Sequence, residues 1–147
     1  MPDPLVLDSS VFKFTDFIQW LRRHHGRKIL PVVAYTEISV WYVSIKGKDQ
    51  SYVDDIISRA RIELEWYTPH IAWRAVEFAS ASGDFSDHAR DYMIAAHAYT
   101  APRMIVTENK KDFAFLGDRV CSPDELMYPG RTMDGDGDSA GENDSPI

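Results

Sequence analysis

Short apolar runs separated by helical patterns constrain the fold of this chain more than any other feature of its sequence. The runs at residues 5–7 and 103–107 are too short for helices and consist mainly of consecutive apolar residues, which is typical of strands buried on both faces of a sheet. Residues 29–32 and 119–121 show the same pattern. This alternation of strands and helices predicts an α/β fold, a three-layer sandwich with a mainly parallel central sheet.

Five helices and one further strand complete this prediction. Gly26 is a candidate for the glycine that follows the end of the first helix, and Ser86 is a candidate N-cap for the last helix. The predicted helices cover about residues 11–24, 33–46, 51–64, 69–81 and 86–99, and the further strand covers residues 65–68.

The formal net charge of −7 is unevenly distributed along the chain. Residues 129–147 contain five acidic residues and one basic residue, so residues 1–128 carry a formal charge of only −3. The C-terminal segment lacks apolar residues to bury, and we expect residues 1–128 to form one domain and residues 129–147 a disordered acidic tail. A protein with this charge binds nucleic acid poorly unless a bound cation or a local basic patch intervenes.

The sequence contains no segment typical of a membrane or secreted protein. No run approaches the ~20 apolar residues that a membrane helix needs, and no positively charged segment precedes an apolar stretch at the N-terminus. The single cysteine, Cys121, cannot form an internal disulfide or a zinc–thiolate cluster. We therefore expect a cytoplasmic protein without a membrane partner.

Four acidic residues stand at positions that solvation alone does not explain. Asp8 directly follows the first strand, and Asp112 lies shortly after the strand at residues 103–107. Glu37 has only apolar helical neighbours three and four positions away, and Asp91 lies in the second turn of an alanine-rich helix. Each has an ordinary alternative explanation: a helix cap, a buried salt bridge or a surface turn. In a parallel sheet, however, these positions can converge on one cleft.

Four carboxylates in one cleft repel one another and raise one another's pKa values unless a divalent cation compensates. Oxygen ligands without cysteine or clustered histidine favour Mg²⁺ or Mn²⁺ over zinc. Because the metal-free cleft holds like charges close together, Asp8→Asn is expected to raise the melting temperature in EDTA. Asp87, one turn before Asp91, is expected to interact mainly with the helix dipole.

Several segments that contain these acids resemble the PIN-domain ribonucleases, and in particular the VapC-type toxins of toxin–antitoxin systems. They occur in the order found in that family and span about residues 5–121. The matching segments are Val6-Leu7-Asp8-Ser9-Ser10-Val11, the helical Glu37, Asp91-Tyr92-Met93-Ile94-Ala95-Ala96, and Thr107-Glu108-Asn109-Lys110-Lys111-Asp112-Phe113.

The resemblance implies a catalytic metal site formed by Asp8, Glu37, Asp91 and Asp112, which would bind Mg²⁺ with Mn²⁺ as a substitute. The bound ions would support hydrolysis of RNA phosphodiester bonds. Glu108 departs from the family pattern, because a basic residue is common at its position. The resemblance also implies supporting polar roles for the side chains of Ser9, Ser10, Thr107 and Asn109.

The resemblance further implies a homodimer and an antitoxin partner that inserts a basic residue into the acidic cleft. Candidate contacts with the RNA backbone are Arg22, Arg23, Arg27, Lys110 and Lys111. The basic run at residues 22–28 has an alternative explanation, a favourable interaction with the C-terminal end of the first helix.

Two other functions remain open at the level of the sequence. A haloacid-dehalogenase-like phosphatase also begins with an aspartate after a buried strand, but that class needs a second aspartate two residues later, where this chain has Ser10. The second alternative is a catalytically inactive PIN-fold scaffold or RNA-binding module. A thermal shift on addition of Mn²⁺ distinguishes such a scaffold from a metal-dependent nuclease.

Overall fold

A parallel sheet of five short strands forms the centre of the structure, a computed structural model that describes residues 2–100 and 102–130. The strands are β1 (Leu5–Leu7), β2 (Lys28–Pro31), β3 (Glu63–Glu65), β4 (Met104–Val106) and β5 (Val120–Cys121). Their order in the sheet is β3-β2-β1-β4-β5, and every neighbouring pair is parallel.

Helices cover both faces of this sheet, which confirms the predicted α/β sandwich. The helices are α1 (Thr15–Arg23), α2 (Val32–Ser44), α3 (Gln50–Arg59), α4 (Pro69–Ser80), α5 (Phe85–Ala95) and α6 (Pro123–Met127), and 3-10 helices cover Ser9–Lys13, Ala96–Ala98 and Lys110–Leu116. Helix α1 contacts α6, and α2 contacts both α3 and α5.

The central strands are apolar because both of their faces are covered. All residues of β1 and β2 are buried, and Ile105 and Val106 of β4 are fully buried as well. In the sheet, β2 and β3 lie on one side of β1, and β4, the next strand along the chain, lies on the other side. The carboxyl ends of β1 and β4 therefore border the topological switch point, where open α/β sheets bind their ligands.

The first predicted helix is two separate elements. The 3-10 helix Ser9–Lys13 precedes α1, and Phe14 lies between them in an extended conformation with φ −102° and ψ 106°. Gly26 does not terminate α1 in the predicted way, because His24 ends the helix and Gly26 has no positive φ. A Cβ atom at Gly26 would lie 2.7 Å from Nε2 of His24, so this glycine allows a close approach instead.

Other predicted boundaries also shift. Helix α3 ends at Arg59, and Arg61 follows with a positive φ of 54°, so β3 begins earlier than predicted. Ser86 is not an N-cap, because α5 already begins at Phe85, and its last predicted turn is the 3-10 helix Ala96–Ala98. The sequence patterns missed α6 and the 3-10 helix Lys110–Leu116.

Lys28 explains part of the basic run at residues 22–28. Its side chain is 2% exposed, and its Nζ donates hydrogen bonds to the carbonyl oxygens of Leu21 at 2.9 Å and His24 at 2.7 Å. These carbonyls belong to the last turn and the end of α1, where backbone acceptors lack partners within the helix. The positive charge therefore stabilises the C-terminal end of α1.

Within residues 2–100 and 102–130, no helix is both long and apolar enough to cross a bilayer. The predicted acidic tail at residues 129–147 lies outside the described residues from position 131 onward.

Candidate active site

Asp8 is completely buried at the carboxyl end of β1, and two hydroxyl groups hold its side chain. The hydroxyls of Ser10 and Thr107 donate hydrogen bonds to the Oδ2 of Asp8 at 2.8 and 2.7 Å. The backbone N–H of Asp8 also donates to the carbonyl of Val106 at 3.0 Å. These bonds leave the other oxygen, Oδ1, directed towards the neighbouring charged side chains.

The two hydroxyls are themselves fixed by the loop after β4. The backbone N–H of Glu108 donates to Oγ of Ser10 at 3.0 Å, and the backbone N–H of Asn109 donates to Oγ1 of Thr107 at 2.9 Å. The predicted supporting roles of Ser10 and Thr107 therefore correspond to direct contacts with Asp8. Asn109 contributes to this network through its backbone.

Glu37 and Asp91 reach the same place from two helices. Each side chain is only 13% exposed, on α2 and α5 respectively. The helices that carry them contact each other. The structure thus brings together three of the four predicted acids: Asp8, Glu37 and Asp91.

The guanidinium of Arg90 lies between these three carboxylates. Its Nη2 pairs with Oδ1 of Asp8, its Nε pairs with Oε2 of Glu37, and its Nη1 donates to Oδ1 of Asp91 at 2.7 Å. Nη2 also donates to the hydroxyl of Ser9 at 2.9 Å. We call Asp8, Glu37, Asp91 and Arg90 the charge cluster.

Charges in the charge cluster are only partly balanced. Three carboxylates share one guanidinium, which leaves a formal charge of −2. Burial alone lowers the pKa of Arg90, but the carboxylates of Glu37 and Asp8 raise it overall, so this guanidinium stays protonated. Burial raises the pKa of Asp91 despite the opposing effect of Arg90, and the charges of Asp112 and Asp8 raise it further.

This arrangement changes the stability expectation for Asp8→Asn. That expectation assumed that the metal-free cleft holds unbalanced carboxylates, but Arg90 lies between them and pairs with each. Removing the charge of Asp8 removes a partner of Arg90 from a fully buried position. The substitution is therefore expected to destabilise the protein.

Asp112 lies at the periphery of the charge cluster. It is exposed in the 3-10 helix Lys110–Leu116, and its charge raises the pKa of Asp91. It is therefore near Asp91, as the sequence predicts, without a hydrogen bond to the cluster. Lys111 lies beside it and is exposed, whereas Lys110 pairs with Glu125 at 3.0 Å.

Two further acids near α5 lie outside the charge cluster. Asp84 accepts hydrogen bonds from the hydroxyls of Ser82 at 2.5 Å and Tyr92 at 2.6 Å. Asp87 is exposed in the first turn of α5, which is the position predicted for a residue that interacts with the helix dipole.

The structure does not bring the basic run at residues 22–28 to the charge cluster. These residues run from the end of α1 to Lys28, the first residue of β2, which pairs with Leu5 at the amino-terminal edge of the parallel sheet, whereas Asp8 lies at the carboxyl edge. Arg27 forms an ion pair with Glu63 at 2.8 Å. Of the five candidate RNA contacts, Arg22, Arg23 and Arg27 therefore lie at the opposite edge of the sheet from Asp8. Lys110 and Lys111 follow β4 and lie at the same edge as Asp8.

The oxygen atoms of this site suit a divalent cation, but the present arrangement of the carboxylates does not. Asp8, Glu37 and Asp91 provide the oxygen ligands that Mg²⁺ prefers, and Oε1 of Glu37 is buried without a hydrogen-bond partner among the described residues. Nevertheless, no group of three or more His, Cys, Asp or Glu side chains within residues 2–100 and 102–130 is arranged to hold a metal ion. The carboxylates surround a guanidinium instead.

Arg90 is the residue of the charge cluster that the sequence patterns do not indicate. Three acids in one apolar setting require a cation, but no spacing in the sequence identifies Arg90, which directly precedes Asp91, as that cation. The kink of α5 at His88, with φ −134° and ψ 27°, lies two residues before Arg90 and is not visible in the helical pattern.

Comparison with known proteins identifies the fold. No protein-family model and no curated protein matches the sequence. The structure is similar to a chain of the DNA-bound VapBC from Salmonella typhimurium, with a TM-score of 0.64 and 20% sequence identity, over 83% of this chain and 99% of that chain.

Two further solved structures agree. A toxin–antitoxin complex from Klebsiella pneumoniae matches with a TM-score of 0.61 and 18% identity, over 81% of this chain and 97% of that chain. VapBC-1 from nontypeable Haemophilus influenzae matches with a TM-score of 0.57 and 14% identity, over 80% and 95%. These comparisons confirm, at the level of the fold, the resemblance to VapC-type PIN domains that the sequence motifs predicted.

Proposed function

We propose that this protein is a metal-dependent endoribonuclease that hydrolyses RNA phosphodiester bonds and is the toxin of a type II toxin–antitoxin pair. The observation that carries the proposal is the convergence of Asp8, Glu37 and Asp91 at the topological switch point of the sheet. The fold shared with chains of VapBC complexes supports the same function.

The side chains of the charge cluster have distinct parts in this proposal. Ser10 and Thr107 hold Oδ2 of Asp8, so that its other oxygen, Oδ1, faces the cleft, where it now pairs with Arg90. Asp8, Glu37 and Asp91 would hold Mg²⁺, with Asp112 at the periphery. When bound, Mg²⁺ lowers the pKa of a water molecule and stabilises the charge that develops on the phosphate.

The partners follow from the same proposal. RNA would approach from the carboxyl edge of the sheet, where Lys111 is exposed beside Asp112. An antitoxin protein and a homodimeric state are the expected protein partners, and the cytoplasm is the expected compartment. Light scattering on the purified chain and copurification with the product of an adjacent gene test these two partnerships.

A catalytically inactive scaffold is the second candidate function. The position of Arg90 favours it, because a guanidinium already occupies the space between the carboxylates. The phosphatase alternative has no such support, because Ser10 stands at the position of the required second aspartate and its hydroxyl holds Asp8.

The decisive experiment incubates the purified protein with an end-labelled single-stranded RNA in Mg²⁺, in Mn²⁺ and in EDTA. The proposal expects cleavage with either ion and none in EDTA, with activity restored when Mn²⁺ is added back in excess. Cleavage at full rate in EDTA excludes the metal-dependent mechanism.

The scaffold is distinguished by binding and stability measurements on the same samples. Mn²⁺ binding to the folded state raises the melting temperature by mass action. RNA binding without cleavage, together with no thermal shift on addition of Mn²⁺, supports the scaffold and contradicts the nuclease.

A further inference from the structure

Arg90 contacts three carboxylates at once, whereas an ordinary surface ion pair joins one cation to one carboxylate. Each of its three guanidinium nitrogens contacts a different carboxylate, and the side chain is 30% exposed. The planar guanidinium suits several carboxylates at fixed angles, which a lysine ammonium cannot match. Because Arg90 belongs to the same helix as Asp91, this cation reaches the site without a second molecule.

A guanidinium and a divalent cation cannot occupy this position together. Arg90 holds Oδ1 of Asp8 and Oδ1 of Asp91, so a divalent cation held by these two carboxylates would compete with it, and the side chains as they lie form no metal site within residues 2–100 and 102–130. The guanidinium neutralises only one of three negative charges, so the charge cluster still attracts a cation of higher charge. The partial exposure of Arg90 provides a route for its side chain to leave towards solvent.

We infer that Arg90 is a built-in competitor of the catalytic metal: its guanidinium occupies the carboxylates in the resting protein and must swing out before Mg²⁺ or Mn²⁺ binds. The inference rests on the proposed function. It makes metal loading a gated step, in which the apparent Kd equals the intrinsic Kd divided by the fraction of molecules with Arg90 displaced.

The experiment measures Mn²⁺ binding by isothermal titration calorimetry on the full chain, with Arg90→Gln compared with the wild type. Arg74→Gln is the matched control, because the Arg74 side chain is also 30% exposed and pairs with Glu77 at 3.4 Å on α4. Arg74→Gln also removes one positive charge, but on α4 and outside the charge cluster. We expect Arg90→Gln to bind Mn²⁺ at least tenfold more tightly than the wild type, and Arg74→Gln to stay within twofold.

A second variant covers the case in which Arg90→Gln folds poorly, and a competition experiment on Arg90→Gln gives an independent readout. Arg90→Lys retains a positive charge but replaces the guanidinium by a point charge, and its Mn²⁺ affinity should lie between those of the wild type and Arg90→Gln. Millimolar methylguanidinium should weaken Mn²⁺ binding to Arg90→Gln and leave the wild type unchanged. Equal or weaker Mn²⁺ binding by both Arg90 variants overturns the inference.

Asp8→Asn separates this inference from the proposed function. Suppose that the wild type binds Mn²⁺, that Asp8→Asn does not, and that Arg90→Gln binds Mn²⁺ no more tightly than the wild type. The metal site is then supported and the competition by Arg90 is excluded. If neither the wild type nor Arg90→Gln binds Mn²⁺, the metal-dependent function itself fails.

Discussion

The hydroxyl of Thr107 donates a 2.7 Å hydrogen bond to the carboxylate of Asp8 across 99 positions of sequence. The two residues directly follow β4 and β1, which are neighbours in the sheet. Backbone pairing therefore brings the hydroxyl to the carboxylate, and both groups are completely buried. The orientation of the central acid thus depends on the register between these two strands.

Thr107→Val is expected to destabilise the protein. It removes a donor to a buried carboxylate and also the acceptor of the Asn109 backbone N–H, at a cost of about 1.5–3 kcal/mol. Urea unfolding measures this change. Thr36→Val is the control, because Thr36 is exposed on α2 and its hydroxyl donates to the carbonyl of Val32 in the same helix, so we expect a change within about 0.5 kcal/mol. Equal losses would contradict the buried role of Thr107.

Asp8→Asn is expected to lower the melting temperature in EDTA. Breaking a fully buried ion pair from one side costs about 3–5 kcal/mol, and here we expect roughly 2 kcal/mol because Arg90 retains Glu37 and Asp91. Differential scanning calorimetry in EDTA tests this. The control is Asp87→Asn, an exposed aspartate on the first turn of α5. A higher melting temperature for Asp8→Asn would show that repulsion dominates the cluster after all.

Asp91→Asn is expected to reduce RNA cleavage much more than Asp87→Asn does. Asp91 is one of the carboxylates of the charge cluster, whereas Asp87 lies one turn away and is exposed. The measurement is the initial cleavage rate of a labelled RNA at saturating Mg²⁺, with folding of both variants verified by circular dichroism. If the two variants lose activity equally, the ligand has been placed one helical turn wrong.

A buried histidine makes the stability of the protein depend on pH. The side chain of His97 is 0% exposed; its Nδ1 lies 2.7 Å from Glu65, and its Nε2 has no hydrogen-bond partner among the described residues. Burial lowers the pKa of His97 below 6.5 despite the opposing effect of Glu65. The unfolded chain therefore binds a proton more readily, and the free energy of unfolding decreases as the pH falls below about 6.5.

His97→Gln should reduce this pH dependence. The free energy of unfolding of the wild type should be lower at about pH 5.5 than at about pH 7, and the difference should be smaller in His97→Gln. His24, whose pKa is also lowered by burial, contributes with the same sign and leaves a residual slope. His70→Gln, at an exposed position of α4, should retain the full difference. A slope that is unchanged in His97→Gln would contradict the assignment.

The sequence predicted the sheet better than the helix ends. Strands β1 and β4 were recognisable because strands buried on both faces are nearly continuous apolar runs. The start of α1 and the kink within α5 were not, because Phe14 and His88 adopt backbone angles that the spacing of apolar residues does not encode. The short α6 has too few turns to show a period.

The acids of the site were predictable, whereas their cation was not. Asp8 and Glu37 stood out as charged residues in apolar surroundings. Arg90 lies beside Asp91 on a helix, and adjacent positions point in different directions from a regular helix. Only the three-dimensional arrangement shows that its long side chain turns back to meet Asp8, 82 positions away.

The burial of Lys28 gives this protein an internal reporter of local opening. Its amine is held by two backbone carbonyls at the end of α1, and burial lowers its pKa, as does the nearby charge of Arg61. An acylating reagent can reach this nitrogen only when the corner between α1 and β2 separates, whereas an exposed amine such as that of Lys111 reacts at once. The rate at which mass spectrometry detects acylation of Lys28 therefore measures how often the amino-terminal edge of the sheet comes apart in the native protein.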